Sequence, residues 1–273
     1  MSGGRQNLVH RVGERWRPPP FTPNTTRWQR LLSALRRFVD LQAGSIWNDL
    51  AVELPKASGT LLDVGCGAQP YRALLSTTVN YLGIDTIDAK PHFGYQTGDT
   101  VYYSGTAWPV KDGSADVVLC TETLEHIAEP SAFLAEMHRC LRPGGRVLLT
   151  VPFAARWHFI PHDYWRFTPS GLHRLLTRAG FTNIEVYARG NALTVACYKQ
   201  MALALPLLLP QVSNTAWRWG LRLFGMVAFP VVLLLAIIGN VSMKRRGGDD
   251  CLGYTVLAER GCPDPAMLAP DLK

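Results

Sequence analysis

The chain predicts an α/β fold built on a mostly parallel sheet, and three observations predict it. Short apolar runs alternate with helix-compatible stretches from residue 60 onward. A glycine turn, Gly65-Cys66-Gly67, follows the first apolar run directly. Helix punctuation falls between the runs: Pro130-Ser131 and Pro169-Ser170 stand at helix starts, Gly144-Gly145 and Gly180 just past helix ends. Such alternation sets parallel strands side by side, with the crossover helices covering both faces of the sheet.

Taken in order, residues 1–26 form a basic arm. Residues 1–37 hold eight arginines against one acid, Glu14, which accounts for the net charge of +7 (28 − 21) and leaves the remainder near neutral. "RPPPFTP" (17–23) predicts a poorly structured connector. An arm of this kind suits an anionic partner: phospholipid headgroups, a phosphorylated substrate or nucleic acid. Residues 27–54 read as helical, with Trp28, Leu31, Leu32, Leu35, Phe38 and Val39 at helix spacing and arginines on the other face. Strands are predicted at 60–64, 80–84, 101–103, 115–120 and 146–151, and helices at 69–76, 130–141 and 170–179. Two later strands, 182–188 and 253–259, close the sheet as an edge pair.

Between those last strands the composition changes. The core is assigned to 27–197, a hydrophobic helical insert to 198–246, and the last strand with its tail to 247–273. Gln200–Trp217 carries no charge, nor does Leu223–Met243, whose 21 residues are enough to span a bilayer. A single crossing would leave the last strand on the wrong side of the membrane. The insert is therefore read as a hairpin or as two helices in one leaflet, and Pro206, Pro210 and Pro230 favour shallow insertion. Lys244-Arg245-Arg246 and the arm would both face anionic headgroups. The alternative is a soluble helical cap over the domain.

The six cysteines are scattered, without a CxxC pair or zinc-ligand spacing, which predicts a reducing compartment and no metal site. The N-terminus is polar and lacks the apolar stretch of a signal peptide. Localisation is read as cytoplasmic, at the inner face of a membrane.

The glycine turn narrows the ligand. A nicotinamide or flavin site prefers G-x-G-x-x-G, and Pro70 stands at the third position. No Gly-Lys-Ser/Thr follows, so a P-loop is absent. What remains is Asp63-x-Gly65-x-Gly67, with a second acid, Asp85, ending the next strand in "YLGID". An acid beside the loop suits an amine, and an acid at that strand tip accepts hydrogen bonds from a ribose.

From here the chain resembles a class I S-adenosylmethionine (SAM)-dependent methyltransferase. The matches run in order: "LLDVGCG" (61–67), "YLGID" (81–85), "WPVKDGSADVVLCTETLEHIAEP" (108–130) and "MHRCLRPGGRVLLTVPF" (137–153). "PHDYWRFTPSGLHRLLTRAGF" (161–181) resembles a subgroup associated with glycan, lipid and natural-product pathways. The resemblance implies a Rossmann-like, seven-stranded sheet and SAM as cofactor. It assigns Asp63 to the loop and the methionyl amine, Gly65 and Gly67 to the methionine part, and Asp85 to the ribose. It places Thr106 and Ala107 at adenine, with Asp99 as a rival, and Thr121 and Glu122 beside the methionine moiety. Asp116 is read as pinning strand geometry, and "LRPGG" as ending a helix and turning into a strand.

Methyl transfer from a sulfonium needs alignment, exclusion of water and, for an oxygen or carbon acceptor, a base. His126 in "LEHI" and the pair His162-Asp163 are the candidates, because a neighbouring carboxylate sets imidazole basicity. The competing reading of "RWHFIPHDYWRF" is an aromatic lid of Trp157, Phe159, Tyr164 and Trp165, fixed by His162 and Asp163. The acceptor is read as lipid-linked, glycan-like or otherwise amphiphilic, with O-methylation preferred over N- or C-methylation. The alternatives are a non-catalytic SAM-fold membrane partner and a nicotinamide oxidoreductase. No Asn/Asp-Pro-Pro-Tyr/Phe motif follows the fourth strand, which speaks against a nucleic-acid substrate. Oligomeric state is left open.

Overall fold

The structure is a computed structural model, and it describes residues 8, 13–14, 26–94, 97–211, 213–245 and 247–261. Most of the basic arm, Arg246, Cys262 and the tail lie outside the described residues. Seven strands form one sheet: β1 (Thr60–Val64), β2 (Asn80–Thr86), β3 (Thr100–Tyr103), β4 (Ala115–Thr121), β5 (Leu141–Pro152), β6 (Phe181–Arg189) and β7 (Gly253–Arg260). Their order is β3-β2-β1-β4-β5-β7-β6. All neighbours pair parallel except β7, which runs antiparallel between β5 and β6. β6 therefore points the same way as β1–β5, and the carboxyl ends of six strands share one edge of the sheet.

Period-2 side chains divide the core in two. Leu62 and Val64 of β1, with Val118 and Cys120 of β4, face α4 (Pro130–Cys140) and α5 (Pro169–Arg178) through Phe133, Leu134, Met137, Leu172 and Leu176. Leu61, Val117, Leu119 and Leu148 face the opposite way, against Ile46, Leu50 and Leu54 on and just after α2 (Leu41–Glu53). Asp116 holds the start of β1 to β4, accepting from the Thr60 backbone N–H at 2.7 Å and from Arg142 at 2.5 Å. The five described cysteines are free and buried.

Three local readings are corrected. The stretch 27–54 is two helices, α1 (Arg27–Val39) and α2, because Asp40 stops the first and caps the second by accepting from the Ala43 N–H at 3.2 Å. The helix expected at 69–76 is only a 3-10 turn at Arg72–Leu74, following Gln69 at φ +54° and Pro70; the one described helix on the way to β3 is the short α3 (Ala89–Phe93). Gly144-Gly145 do not end α4, which stops at Cys140. Leu141 already pairs with Ala115, and the glycines lie in the register shift before Arg146 pairs with Val117.

The insert is an antiparallel pair, α6 (Ala192–Leu208) and α7 (Thr215–Met243), and it starts ahead of the residue-198 boundary. Asn214 caps α7 by accepting from the Trp217 N–H at 2.9 Å. The helices touch at Gly225, where a Cβ would meet the Leu207 backbone at 2.9 Å. At its base the pair is core: Val195, Cys197, Met201, Val232 and Ala236 pack with Leu41 and Leu252. Away from the base it is bare. Leu203, Trp217, Leu223, Phe224, Val227 and Val231 are all exposed, Leu203 and Val227 to 78%. The apolar stripe of α1 also faces outward, with Trp28, Leu31, Leu32 and Leu35 exposed, and α1 lies against α7 where Asn240 donates to the Phe38 carbonyl at 2.8 Å. Among the described residues, α7 is the one helix long and apolar enough to cross a membrane.

Candidate active site

A cavity of about 430 Å³ opens at the carboxyl edge of the strands. Its first half is the glycine turn after β1. Gly65 sits at φ +68°, and a Cβ there would meet the Thr123 side chain at 2.5 Å, so only glycine lets the chain turn against that residue. The Gly67 N–H donates to one Asp85 carboxylate oxygen at 3.0 Å and the Thr86 N–H to the other at 2.8 Å. The turn and the tip of β2 are thereby locked together. Burial pushes the Asp85 carboxyl up from its ordinary value, against those two N–H donors. Asp63 lies beneath the turn. One of its oxygens accepts from the Tyr81 hydroxyl at 2.7 Å, while the other is buried without a partner. Burial raises Asp63 to about 7, with the Tyr81 hydroxyl opposing and the Asp85 charge adding.

Between the halves stands Glu122, in the left-handed region at φ +46°. Its carboxylate accepts from Arg189 at 2.8 Å and from the Gln42 amide at 3.2 Å. Arg189, at the end of β6, is buried and also donates to the Val151 carbonyl at 2.9 Å and to the Ser45 hydroxyl at 3.2 Å. α2 and β6 thus brace the end of β4. Sequence reasoning missed Arg189 and Gln42, which lie 67 and 80 positions from Glu122.

Histidines make the second half. His126 follows β4, and its Nδ1 contacts the His162 carbonyl oxygen at 2.5 Å. Burial, and then the His158 charge, lower the His126 pKa to about 4, so the ring is neutral at physiological pH. The His126 and His158 rings meet edge to face with centroids 5.0 Å apart, and Phe159 lies 5.4 Å from His126. Asp163 is turned away from the cavity: its carboxylate accepts from the His158 N–H at 2.9 Å and from Arg166 at 2.6 and 2.8 Å, and pairs with His158 Nδ1 at 2.9 Å. Burial alone would raise the Asp163 carboxyl; Arg166 and His158 outweigh it and hold it well below the usual range.

Of the residues expected at the site, Gly65, Gly67, Asp85, Thr121, Glu122, His126 and His162 line one cavity, whereas Asp63 is buried beneath the turn and is not part of the cavity lining. Thr106 and Ala107 do not; both are exposed, and Thr86, Asp88 and Tyr103 line that side instead. Asp99 is engaged by Gln69 and Arg72. The pairing of Asp163 with His162 is replaced by pairing with His158 and Arg166, because the loop turns between the two neighbours. Of the expected aromatic lid, Phe159 lines the cavity, whereas Tyr164 and Trp165 are exposed and held outside by backbone bonds to Glu125 and the Trp165 indole bond to the Ile127 carbonyl. The arm's acid reaches this loop: Glu14 accepts from the Phe159 N–H at 2.7 Å and pairs with Arg156 at 2.8 Å. A larger hollow of about 670 Å³, bordered by Lys56, Arg146 and Glu259, lies at the other end of the strands and holds none of these groups.

Residues 35–186 match the family described as "Methyltransferase domain". The chain belongs to the class I SAM-dependent methyltransferases. An uncharacterized methyltransferase of Mycolicibacterium vanbaalenii is 29% identical over 77% of this chain and 87% of that protein. A ubiquinone biosynthesis O-methyltransferase of Cereibacter sphaeroides is 33% identical over 50% of this chain, which spans 66% of that protein's length. The fold is similar to a solved SAM-dependent methyltransferase of Thermotoga maritima, a possible histamine N-methyltransferase, with a TM-score of 0.51 at 12% identity over 86% of this chain and 96% of that one. The cofactor of this methyltransferase is SAM, and the residues present fit it: an orphaned buried carboxylate oxygen on Asp63 for an amine, and Asp85 on the cavity wall for a ribose.

Proposed function

We propose that this methyltransferase acts at the cytoplasmic face of a membrane on a hydroxyl of a lipid-linked, glycan-like or other amphiphilic acceptor. One observation carries the reading: the bare apolar hairpin springs from the same sheet edge as the cavity. β6 ends at Arg189, which touches Glu122 on the cavity wall, and α6 starts three residues later at Ala192. Lys199 of α6 donates to the Ala154 carbonyl just after β5, so the helix pair also leans on the loop that carries His158 and His162. An apolar surface of this extent is out of place in water and favourable in a leaflet. The outward stripe of α1 extends it, and Arg218 and Arg222 near the start of α7 suit a headgroup layer.

SAM, when bound, supplies an activated methyl group on a sulfonium. Asp63 and Asp85 hold its amine and ribose, and Gly65 and Gly67 admit its methionine part. Thr121 and Glu122 border the reacting centre. His126, His158, Phe159 and His162 form the acceptor half, where His162 takes the hydroxyl proton. The name of the Cereibacter relatives, ubiquinone biosynthesis O-methyltransferase, supports an oxygen acceptor on an apolar molecule.

The test removes the outer hairpin and keeps its base. Residues 204–230 are replaced by a short polar turn, sparing Met201 and Val232. The variant should fold, bind SAM as the parent does and no longer float with anionic liposomes. The full chain should float and resist salt extraction, since apolar insertion is not screened as surface charge is. A full chain that stays monomeric without detergent and ignores liposomes would make the hairpin a soluble cap and end the membrane reading.

A further inference from the structure

We infer that Glu125, His126 and His158 form a site for one divalent first-row transition-metal ion on the inner wall of the acceptor half. Each offers one ligand atom, and these atoms lie within 4.8 Å of one another. Three side chains of this kind, from a turn after β4 and a loop after β5, are the donor set that imidazole-and-carboxylate metal sites use, with positions left over for water or substrate.

Glu125 is the decisive residue. It is 0% exposed, and neither of its carboxylate oxygens has a hydrogen-bond partner. A buried acid in that state is costly unless something cationic or donating meets it. The neighbouring acids are provided for: Glu122 has Arg189 and Asp163 has Arg166. Glu125 has no guanidinium, and its Oε1 instead faces His126 Nε2 at 3.6 Å.

Both rings are held as metal-binding imidazoles are. Metal-ligating histidines present one nitrogen to the ion while the other is fixed by a backbone carbonyl or a carboxylate. His126 Nδ1 is fixed by the His162 carbonyl at 2.5 Å, which leaves Nε2 on the Glu125 side. His158 Nδ1 is fixed by the Asp163 carboxylate at 2.9 Å, and Asp163 is itself anchored by Arg166. His126 and His158 also line the cavity, so the ion would be reachable from it. An acceptor oxygen held there would meet the cofactor half at a fixed distance. That use rests on the methyl-transfer reading; ion binding does not, and the experiment reads the ion alone.

The full chain, purified in detergent and stripped with a chelator, is titrated with Co²⁺ and followed by visible absorption, and its bound Zn²⁺ is counted by elemental analysis after reloading. One ion per chain is expected, with the intense visible bands of a four- or five-coordinate Co²⁺ site. Glu125→Gln keeps the shape without the anion. It should weaken Co²⁺ binding by more than the about 10–100-fold that loss of an outer partner costs. His158→Ala lies nearer solvent and serves if the buried variant fails to fold. Retained SAM affinity certifies each variant as folded. Absence of a stoichiometric Co²⁺ site in the parent, or a folded variant that binds Co²⁺ as the parent does, would overturn the assignment.

Discussion

The glycine half and the histidine half of the cavity are supported differently. Asp85 is fixed by backbone N–H groups of the turn it serves and of its own strand, all within 18 residues. His126, His158 and His162 leave the sheet after different strands and hold one another across 36 positions, with Asp163, Arg166 and Glu14 behind them. A half made of backbone tolerates little but glycine and an acid. A half made of side chains on loops can be re-cut for another acceptor without disturbing the cofactor, so substitutions in the two halves should separate cofactor affinity from turnover.

The largest separation is expected at His162. If it takes the acceptor proton, His162→Ala should lower turnover by about two to four decades with little change in SAM affinity. A loss confined to acceptor binding would make the loop a lid, and full activity would remove His162 from both roles. The brace between the halves comes next. Arg189→Met leaves Glu122 half-buried without its cation, and denaturant unfolding should show a loss of about 3–5 kcal/mol. A loss below about 1 kcal/mol would mean that Gln42 and solvent suffice.

On the glycine side, Asp85→Ala should weaken SAM and its demethylated product alike, by about 1.5–3 kcal/mol in calorimetry, through lost bonds to a charged acceptor. Asp63 gives a smaller, pH-dependent signature. Burial raises its carboxyl to about 7, so below that pH it must release a proton before it can meet an ammonium. SAM affinity should therefore climb as pH rises toward 7, by at most about tenfold per pH unit, and level off above it. Asp63→Asn should flatten that climb; a climb that survives the substitution would belong to another group.

The contrast between the halves also explains what was legible in the sequence. β1, β2, the glycine turn and Asp85 are local and punctuated, and the apolar alternation of β4 and β5 is dense. Their places could be read directly. Arg189 and Gln42 could not, because an arginine ending an edge strand and a glutamine on a helix carry no local sign that they meet Glu122. The split at Asp40 is hidden in the sequence because helix periodicity on both sides outweighs one capping acid. Thr106 and Ala107 do not line the cavity because the loop before Trp108 stays outside, while Tyr103 at the end of β3 reaches it. The insert was visible as uncharged apolar sequence. Its buried base was not, since the leucine-rich runs look alike whether they meet Leu41 or lipid.

The central claim is that one cavity joins SAM to an acceptor drawn from a membrane. It is tested most directly by incubating membrane extract with the full chain and methyl-labelled SAM, then separating lipid-soluble from water-soluble products by mass spectrometry. The account predicts label in a lipid-soluble species one CH₂ heavier than its precursor, with that product reduced at limiting SAM in Asp85→Ala and lost in the chain lacking 204–230. Label that enters only water-soluble molecules, at a rate unchanged by removal of the outer hairpin, would contradict it.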